Sequence, residues 1–228
     1  MQIPAIAMAC AFLFTGTPVA GEAQSDPGQL EQSCDAGDLD ACVEIARRCA
    51  VGREGFEKDV ARALLLYERA CNEGHPDGCQ YLGQAYQEGD IVPKDGKRAA
   101  QLFEKACEGE SGYGCYLLGF SYQFGQGVAR DDTRASSAYE RACDFGQRSG
   151  CNYAVGLHHP LTGDLKDATR WATLMEKYCD HSDGTPCLQL GLAYDIGMWV
   201  PEDANHANEL FKKGCFHGNK EACALIRQ

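Results

Sequence analysis

The cysteines of this chain recur at a fixed spacing, and that spacing constrains the fold more than any other feature. The first cysteines of successive pairs from Cys71 onward are 36 residues apart without slippage, and the first unit is one residue longer. A fixed period in this range is typical of stacked repeats, in which each unit packs only on its neighbours. The pairs, each eight positions apart, are Cys34 with Cys42, Cys71 with Cys79, Cys107 with Cys115, Cys143 with Cys151, Cys179 with Cys187, and Cys215 with Cys223.

Each repeat has the pattern of two helices. After Cys79 the run CQYLGQAYQEG places Leu82 and Tyr86 on one face at steps of three and four, and Gly89 is expected to end that helix. The next run, GKRAAQLFEKACEG, has the same helical period in its apolar positions. No segment alternates as a strand would, so the sequence predicts an all-α solenoid of helix pairs.

A glycine follows the cysteine of the second helix in most units. Glycine adopts the left-handed conformation that often ends a helix, so we expect these residues to be C-terminal caps. They are Gly74, Gly109, Gly146 and Gly218.

The spacing within each cysteine pair favours a disulfide over a metal site. Each pair joins the last turn of one unit's second helix to the first turns of the next unit's first helix. Zinc-binding cysteines usually have about two to four residues between them, fewer than here. We therefore predict six disulfides, each contributing roughly 2.5 kcal/mol by the loop-closure model. The sequence predicts no metal site and no cofactor.

One cysteine of the folded chain lies outside the pairs. The chain has 14 cysteines, of which twelve form the pairs and Cys10 lies in the apolar N-terminal segment. The remaining Cys49 has three interpretations: a small buried core residue, a disulfide link in a dimer of an otherwise monomeric protein, or a reactive thiol.

The N-terminal segment has the pattern of a secretory signal peptide. Residues 1–23 are apolar and then small and polar, and the apolar run is too short to span a bilayer. We predict cleavage after Ala23, a single mature solenoid over residues 24–228, and a periplasmic or secreted location without membrane insertion. The net charge of −12 argues against a nucleic-acid partner, which would require clustered Lys and Arg.

The unit CYLLGFSYQFGQGVARDDTRASSAYERAC resembles the Sel1-like repeat, a relative of the tetratricopeptide repeat. The cysteine-rich version is similar to the Helicobacter cysteine-rich protein family, and the resemblance covers residues 30–228. In the fourth unit the pattern's glycine is shifted to Gly156, His158 takes the tyrosine position, and Pro160 should end the helix early. In the first unit Cys49 takes that position. The units run approximately over 38–74, 75–110, 111–146, 147–182 and 183–218, with a C-terminal cap at 219–228.

In such a solenoid the first helices line the concave face, so their outward residues form a candidate groove. An aromatic centre between amides and leucines suits a protein or peptide ligand. The alternative is that the large residues of this set pack between neighbouring helices and the glutamines are simply solvated. The predicted partner-binding residues are Gln80, Gln84, Gln87, Tyr113, Tyr116, Phe120, Gln123, Asn152, Leu188 and Leu192.

The family resemblance implies a non-catalytic scaffold, either an adaptor in the cell envelope or a periplasmic immunity protein against a secreted effector. It also implies an alternative, a protein that binds β-lactams or peptidoglycan fragments and has weak β-lactamase activity. The chain contains no Ser-x-x-Lys, Lys-Thr-Gly or Gly-x-Ser-x-Gly motif and no His-Glu-x-x-His. The sequence therefore predicts no catalytic residue, and the enzymatic alternative depends on resemblance alone.

Overall fold

The computed structural model describes residues 26–163, 166–179 and 184–227. The predicted signal peptide lies outside these ranges. The described residues form helices without any strand, and consecutive helices pack against each other along the whole array. The predicted all-α solenoid of helix pairs is confirmed.

The helices alternate between two sets, which we call A and B. The A helices are α2 (Leu39–Val51), α4 (Pro76–Glu88), α6 (Gly112–Phe124), α8 (Arg148–His158), α10 (Thr185–Ile196) and α12 (Lys220–Leu225). The B helices are α1 (Pro27–Asp35), α3 (Val60–Asn72), α5 (Gly96–Glu108), α7 (Asp132–Asp144), α9 (Ala168–Tyr178) and α11 (Ala204–Phe216). Successive A helices also contact directly, α4 with α6, α6 with α8 and α10 with α12, and so form one face of the molecule, the A-helix face.

The helix ends follow from residues that recur with the repeat. An aspartate caps the N-terminus of each B helix from α3 onward, where its carboxylate accepts a hydrogen bond from a backbone N–H in the first turn. Most A helices end at a glycine with positive φ, such as Gly89 at 80°. The capping aspartates are Asp59, Asp95, Asp131, Asp167 and Asp203.

One of the predicted glycine caps on the B helices is wrong. Gly74, Gly146 and Gly218 have the expected positive φ, but Gly109 has a φ of −82°. The left-handed residue there is Glu110, with a φ of 68°. In these four units the residue with positive φ is always the third after the cysteine of the B helix. Gly109 is the second residue after Cys107 and Glu110 is the third, so Glu110 adopts the left-handed conformation.

Within a unit the A and B helices approach closely through a glycine and an aromatic ring. Gly119 of α6 lies against the ring of Tyr139, and a Cβ at this glycine would be 2.6 Å from the ring. Gly83 meets Phe103 and Gly191 meets Phe211 in the same way. These rings are fully buried, so the Leu-Gly of each repeat is required by packing.

The fourth unit exchanges this contact for a different one. Val155 stands in the glycine position and Met175 in the position of the ring, and both pack in the core. A larger residue on the A helix is thus matched by a slimmer one on the B helix. Helix α8 ends at His158, before Pro160, as the sequence predicts.

The six predicted cysteine pairs all lie at disulfide distance, with Cα atoms 4.4–4.7 Å apart. Each joins the end of a B helix to the start of the next A helix, so the crosslinks lie at the junctions between units. The partners are Cys34 and Cys42, Cys71 and Cys79, Cys107 and Cys115, Cys143 and Cys151, Cys179 and Cys187, and Cys215 and Cys223.

The second cysteine of each pair begins the buried side of an A helix. Cys42, Cys115 and Cys187 are fully buried there, and Cys151 is nearly so. Because each of these residues is covered by both units that it joins, the crosslinks are part of the core as well as covalent links. No helix in the described part of the chain is both long and apolar enough to cross a bilayer.

Candidate partner-binding groove

The outward residues of the A-helix face fall into three rows that run across successive helices. A residue in one row is followed by its equivalent 36 positions later, because the helices repeat with that period. Row one is Gln80, Tyr116, Asn152 and Leu188; row two is Gln84, Phe120, Gly156 and Leu192; row three is Gln87, Gln123, His159 and Asp195.

Aromatic rings from two A helices meet in the middle of this face. Tyr116 of α6 is half-buried, and its ring centroid lies 5.7 Å from that of Tyr113 and 5.5 Å from that of Tyr153 on α8. Beneath them, the buried Tyr139 lies 5.8 Å from Tyr116 and 5.1 Å from Tyr153. The rings adopt tilted and edge-on geometries that are favourable for aromatic pairs.

A second aromatic pair extends the cluster along α6. The ring centroids of Phe120 and Phe124 are 4.3 Å apart, and the Phe124 side chain is 54% exposed. Tyr113 and Tyr153 are also exposed in part. Large apolar side chains left in water in one group are typical of a protein–protein contact surface.

The predicted amide and leucine residues differ in how much of them reaches the surface. Gln80 is buried, and its Nε2 donates to Oε1 of Gln84. Gln87 donates to Gln126, and both remain accessible. Leu188 is buried in the core between α10 and α11, whereas Leu192 is 39% exposed. Gln80 and Leu188 therefore offer little area to a partner.

Gly156 leaves an opening in row two. A Cβ at this position would meet nothing within 4 Å, and the glycine is partly exposed. A cavity of about 240 Å³ lies beside it between α6 and α8. Its lining is Gln123, Asn152, Tyr153, Gly156, Leu157, Thr162 and Gly163. A second cavity of about 350 Å³ lies on the α10 side of the same glycine and includes Arg148 and Gln189.

The centre of the A-helix face is uncharged although the protein is strongly acidic. Helix α6, with the sequence GYGCYLLGFSYQF, has no acidic or basic residue. Burial raises the pKa of Tyr116 to about 12, so its phenol stays neutral at physiological pH. The negative charge of the protein therefore repels an acidic partner least at the surface where the aromatic residues are exposed.

Ser136 of α7 and His158 of α8 lie within hydrogen-bonding distance of each other. Ser136 Oγ lies 2.9 Å from His158 Nε2 and donates to Glu140, which is paired with Arg170. Because a carboxylate paired with an arginine only accepts hydrogen bonds, this arrangement assigns the tautomer in which His158 Nε2–H donates to Ser136 Oγ. Burial lowers the pKa of His158, which favours the neutral ring. A nitrogen that already carries a proton cannot remove the serine proton, so the pair forms a buried polar bridge.

Cys49 is buried and forms no disulfide with another cysteine of the described residues. It packs in the core around α2 and α3, and burial raises the pKa of its thiol. Both observations favour the interpretation as a core residue over that as a reactive thiol. Among the described residues, no group of three or more His, Cys, Asp or Glu could hold a metal ion.

Two features of the groove were not predicted from the sequence. Tyr153 follows the row-one residue Asn152, so the helical period places it on the flank of α8, outside the three rows. Its exposure results from the gap at Gly156, which leaves its ring uncovered on that side. The absence of a side chain at Gly156 was visible as a departure from the repeat pattern, and it could have indicated the opening.

These features define a disulfide-linked α/α solenoid with an aromatic, uncharged A-helix face. The Sel1 repeat family model matches residues 39–75, 76–111, 112–144 and 187–219, more than half of the chain. The chain belongs to the Sel1 repeat family. The unmatched stretch between residues 144 and 187 contains α8 and α9, where the glycine–ring contact is exchanged.

Solved structures share the fold over most of the chain. The Sel1 repeat protein from Oxalobacter formigenes is 23% identical, with a TM-score of 0.68 over 89% of this chain and 84% of its own. The protective antigen c5321 of uropathogenic Escherichia coli is 28% identical, with a TM-score of 0.65 over 86% of this chain. Among curated proteins, cytochrome c oxidase assembly factor 7A of Xenopus laevis is 33% identical over 63 residues, 28% of this chain. This chain spans 42% of the antigen and 27% of the assembly factor.

Proposed function

We propose that this protein is an exported, non-catalytic scaffold that binds a protein or peptide partner on its A-helix face. The observation that carries the proposal is the group of exposed aromatic side chains in an uncharged surface, with Phe124 54% exposed. Aromatic residues in a water-accessible groove are the usual anchors of protein recognition. Amide side chains beside them, such as Gln84 and Gln87, can bond the backbone of an extended segment.

The disulfides support export to an oxidising compartment, since structural disulfides rarely persist in the cytosol. A periplasmic or secreted location is compatible with two roles for this protein: an adaptor in the cell envelope, or an immunity protein against a secreted effector. The identity of the partner decides between these roles.

Affinity capture from the cell envelope of the source organism tests the proposal. The bait is the mature protein with its disulfides intact, beside the variants Phe120→Ala and Phe216→Ala. Phe216 is 86% exposed on the B helix α11, so its removal deletes an exposed aromatic ring outside the A helices. Phe120 is preferred to Tyr116 because Tyr116 packs on the buried Tyr139 and its loss would disturb the core.

We expect one stoichiometric partner that wild type and Phe216→Ala retain and that Phe120→Ala loses. A loss of about tenfold in affinity corresponds to one good anchor. A partner held equally by all three forms would place the binding surface elsewhere and contradict the proposal.

A further inference from the structure

Row two of the A-helix face has a position without a side chain. Gln84 and Leu192 fill the equivalent positions on α4 and α10, and Phe120 fills the one on α6. Gly156 provides no side chain, and a Cβ there would meet nothing within 4 Å. The row is therefore interrupted by a gap the width of one residue, and the cavity of about 240 Å³ opens at this gap.

Three walls of the cavity are formed by ordered parts of the described chain. Gln123 of α6 and Asn152 and Tyr153 of α8 form two of them. The turn after α8 forms another, where Gly163 N–H donates to the carbonyl of His159 at 2.9 Å. A side chain at Gly163 would run into the backbone carbonyls of α8, so only glycine lets this turn lie so close. The cavity is thus a feature of the folded chain.

The described lining disfavours a charged occupant. None of the described residues that line the cavity is acidic or basic, and Tyr153 carries the one ionisable group among those residues. A charge placed there without a partner would lose its hydration without compensation. A purely aliphatic occupant would in turn cover amide groups and leave their hydrogen bonds unmade.

Two side-chain amides at the rim have hydrogen-bonding atoms without a partner in the described part of the chain. Gln123 Oε1 accepts from the hydroxyl of Tyr139 at 2.8 Å, which fixes the side chain and leaves Nε2 without a partner among the described residues. The Asn152 side chain likewise makes no hydrogen bond to the described part of the chain, and it is exposed. The rim can therefore both donate to and accept from a ligand atom.

We propose that this cavity receives the side chain of a tyrosine or tryptophan from an extended segment of the partner. The ring would pack on Tyr153, and its hydroxyl or N–H would bond the amides of Asn152 and Gln123. The volume is below the roughly 300 Å³ at which pockets for whole small ligands begin, and it suits one large side chain. This inference rests on the proposed function and specifies the partner's chemistry at that surface.

The substitution Gly156→Gln gives a sharp test, because it restores the residue type that α4 carries in the same row. The added side chain would fill the opening and meets no obstacle at its Cβ. Replacing a helical glycine also favours the folded state, so we expect the variant to fold and to melt no lower than wild type. Gly156→Ala is the matched control, since it has the same backbone effect but adds only a methyl group.

The probe is a phage-displayed library of random linear peptides, selected on the wild-type protein with its disulfides intact. Selected peptides are then synthesised and titrated calorimetrically against wild type, Gly156→Ala, Gly156→Gln and Phe120→Ala. We expect the peptides to share a Tyr or Trp, and their affinity to fall about tenfold or more in Gly156→Gln but less than about threefold in Gly156→Ala. Replacing the shared aromatic residue by alanine should produce the same loss in wild type and none in Gly156→Gln.

The outcomes separate the two levels of the proposal. Peptides that lose affinity in Phe120→Ala but bind Gly156→Gln as well as wild type would overturn the aromatic-pocket inference and leave the groove standing. A shared charged or aliphatic residue in place of Tyr or Trp would overturn it in the same way. Peptides unaffected by either substitution, or a selection that enriches none, would overturn the proposed function as well.

Discussion

At position 158 the chain has a histidine where the units on either side have a tyrosine. Tyr122 and Tyr86 each lie under an arginine of the next helix, with the guanidinium carbon 4.1 and 4.3 Å from the ring centroid. His158 is shorter than a tyrosine; Arg170 pairs closely with Glu140, and a cavity of about 440 Å³ lies between the helices beside His158. A contact between a cation and a ring is thus replaced by a polar bridge through Ser136.

This substitution should make the stability of the protein depend on pH. Burial lowers the pKa of His158 in the folded state below its ordinary value of 6.5. At pH values above 6.5 the His158 ring is neutral in both the folded and the unfolded state, so it adds no pH dependence to the free energy of unfolding. As pH falls below this value, the unfolded state gains a proton that the folded state does not, so the free energy of unfolding decreases. The decrease continues until the lowered folded-state pKa is reached.

The variant His158→Tyr should remove this contribution. The cavity has room for the larger ring, and Arg170 can lie over it as its counterparts do in other units. Urea unfolding of both proteins between neutral pH and about pH 5 measures the effect, which is at most about 1.4 kcal/mol per pH unit for one proton. Identical pH dependence in the two proteins would mean that His158 titrates normally in the folded state.

At the scale of the helices, glycine serves opposite purposes on α6 and α8. Gly119 is needed because the ring of Tyr139 occupies the space where its Cβ would lie. Packing does not require glycine at position 156, because a Cβ built there would meet no atom within 4 Å. The two positions are one residue out of register, since Val155 takes the packing role in α8.

Alanine at the two glycines should therefore change stability in opposite directions. Gly119→Ala forces the buried Tyr139 ring to move and should cost about 1–3 kcal/mol, as overpacking usually does. Gly156→Ala should add about 0.5–1 kcal/mol, because alanine loses less backbone entropy on forming a helix. Thermal and urea denaturation of both variants would show the contrast, and a loss of stability in both would mean that the surroundings of Gly156 are tighter than described.

The helices and their order could be predicted because every unit repeats the same constraints. The cysteine period places each A–B pair, and the apolar positions of α4 and α5 lie where the helical period puts them. The left-handed cap at Glu110 could not be predicted from residue preference, because the register of the fold overrides the preference of Gly109.

The groove was harder to predict because exposure depends on neighbouring helices. Helical period alone puts Gln80 and Leu188 outward with Gln84 and Leu192, but the first two are buried, Leu188 against residues of α11 and α12. Tyr153 is exposed for the opposite reason, since its neighbour Gly156 covers nothing. These differences depend on contacts across units, which no single repeat contains.

For the whole molecule, the bonds that join the units are local and repeated. Each B helix from α3 onward places a basic residue near a glutamate of the B helix before it, as in Arg98 with Glu68 at 3.8 Å and Arg134 with Glu104 at 3.9 Å. These groups are largely exposed, so each pair contributes little. The hydrophobic junctions and their disulfides therefore carry most of the coupling between units.

Removal of a central disulfide should weaken the whole array more than removal of a terminal one. The double variant Cys107→Ala with Cys115→Ala frees a junction in the middle, where both cysteines are fully buried. We expect a loss of about 2.5 kcal/mol and a broader urea transition, because the two halves can then unfold separately. The double variant Cys215→Ala with Cys223→Ala opens a loop of the same length but releases only α12, so its main transition should stay sharp. Equal broadening in both would argue against this modular coupling.

The position of the disulfides at the borders between units has a consequence for how such proteins change length in evolution. Every repeat contributes one cysteine to the border before it and one to the border after it. A duplication or deletion of 36 residues that begins after Cys71, where the period is exact, leaves every border with one cysteine from each side. The recognition surface can thus be lengthened or shortened by gene duplication without producing an orphan thiol that could mispair during export.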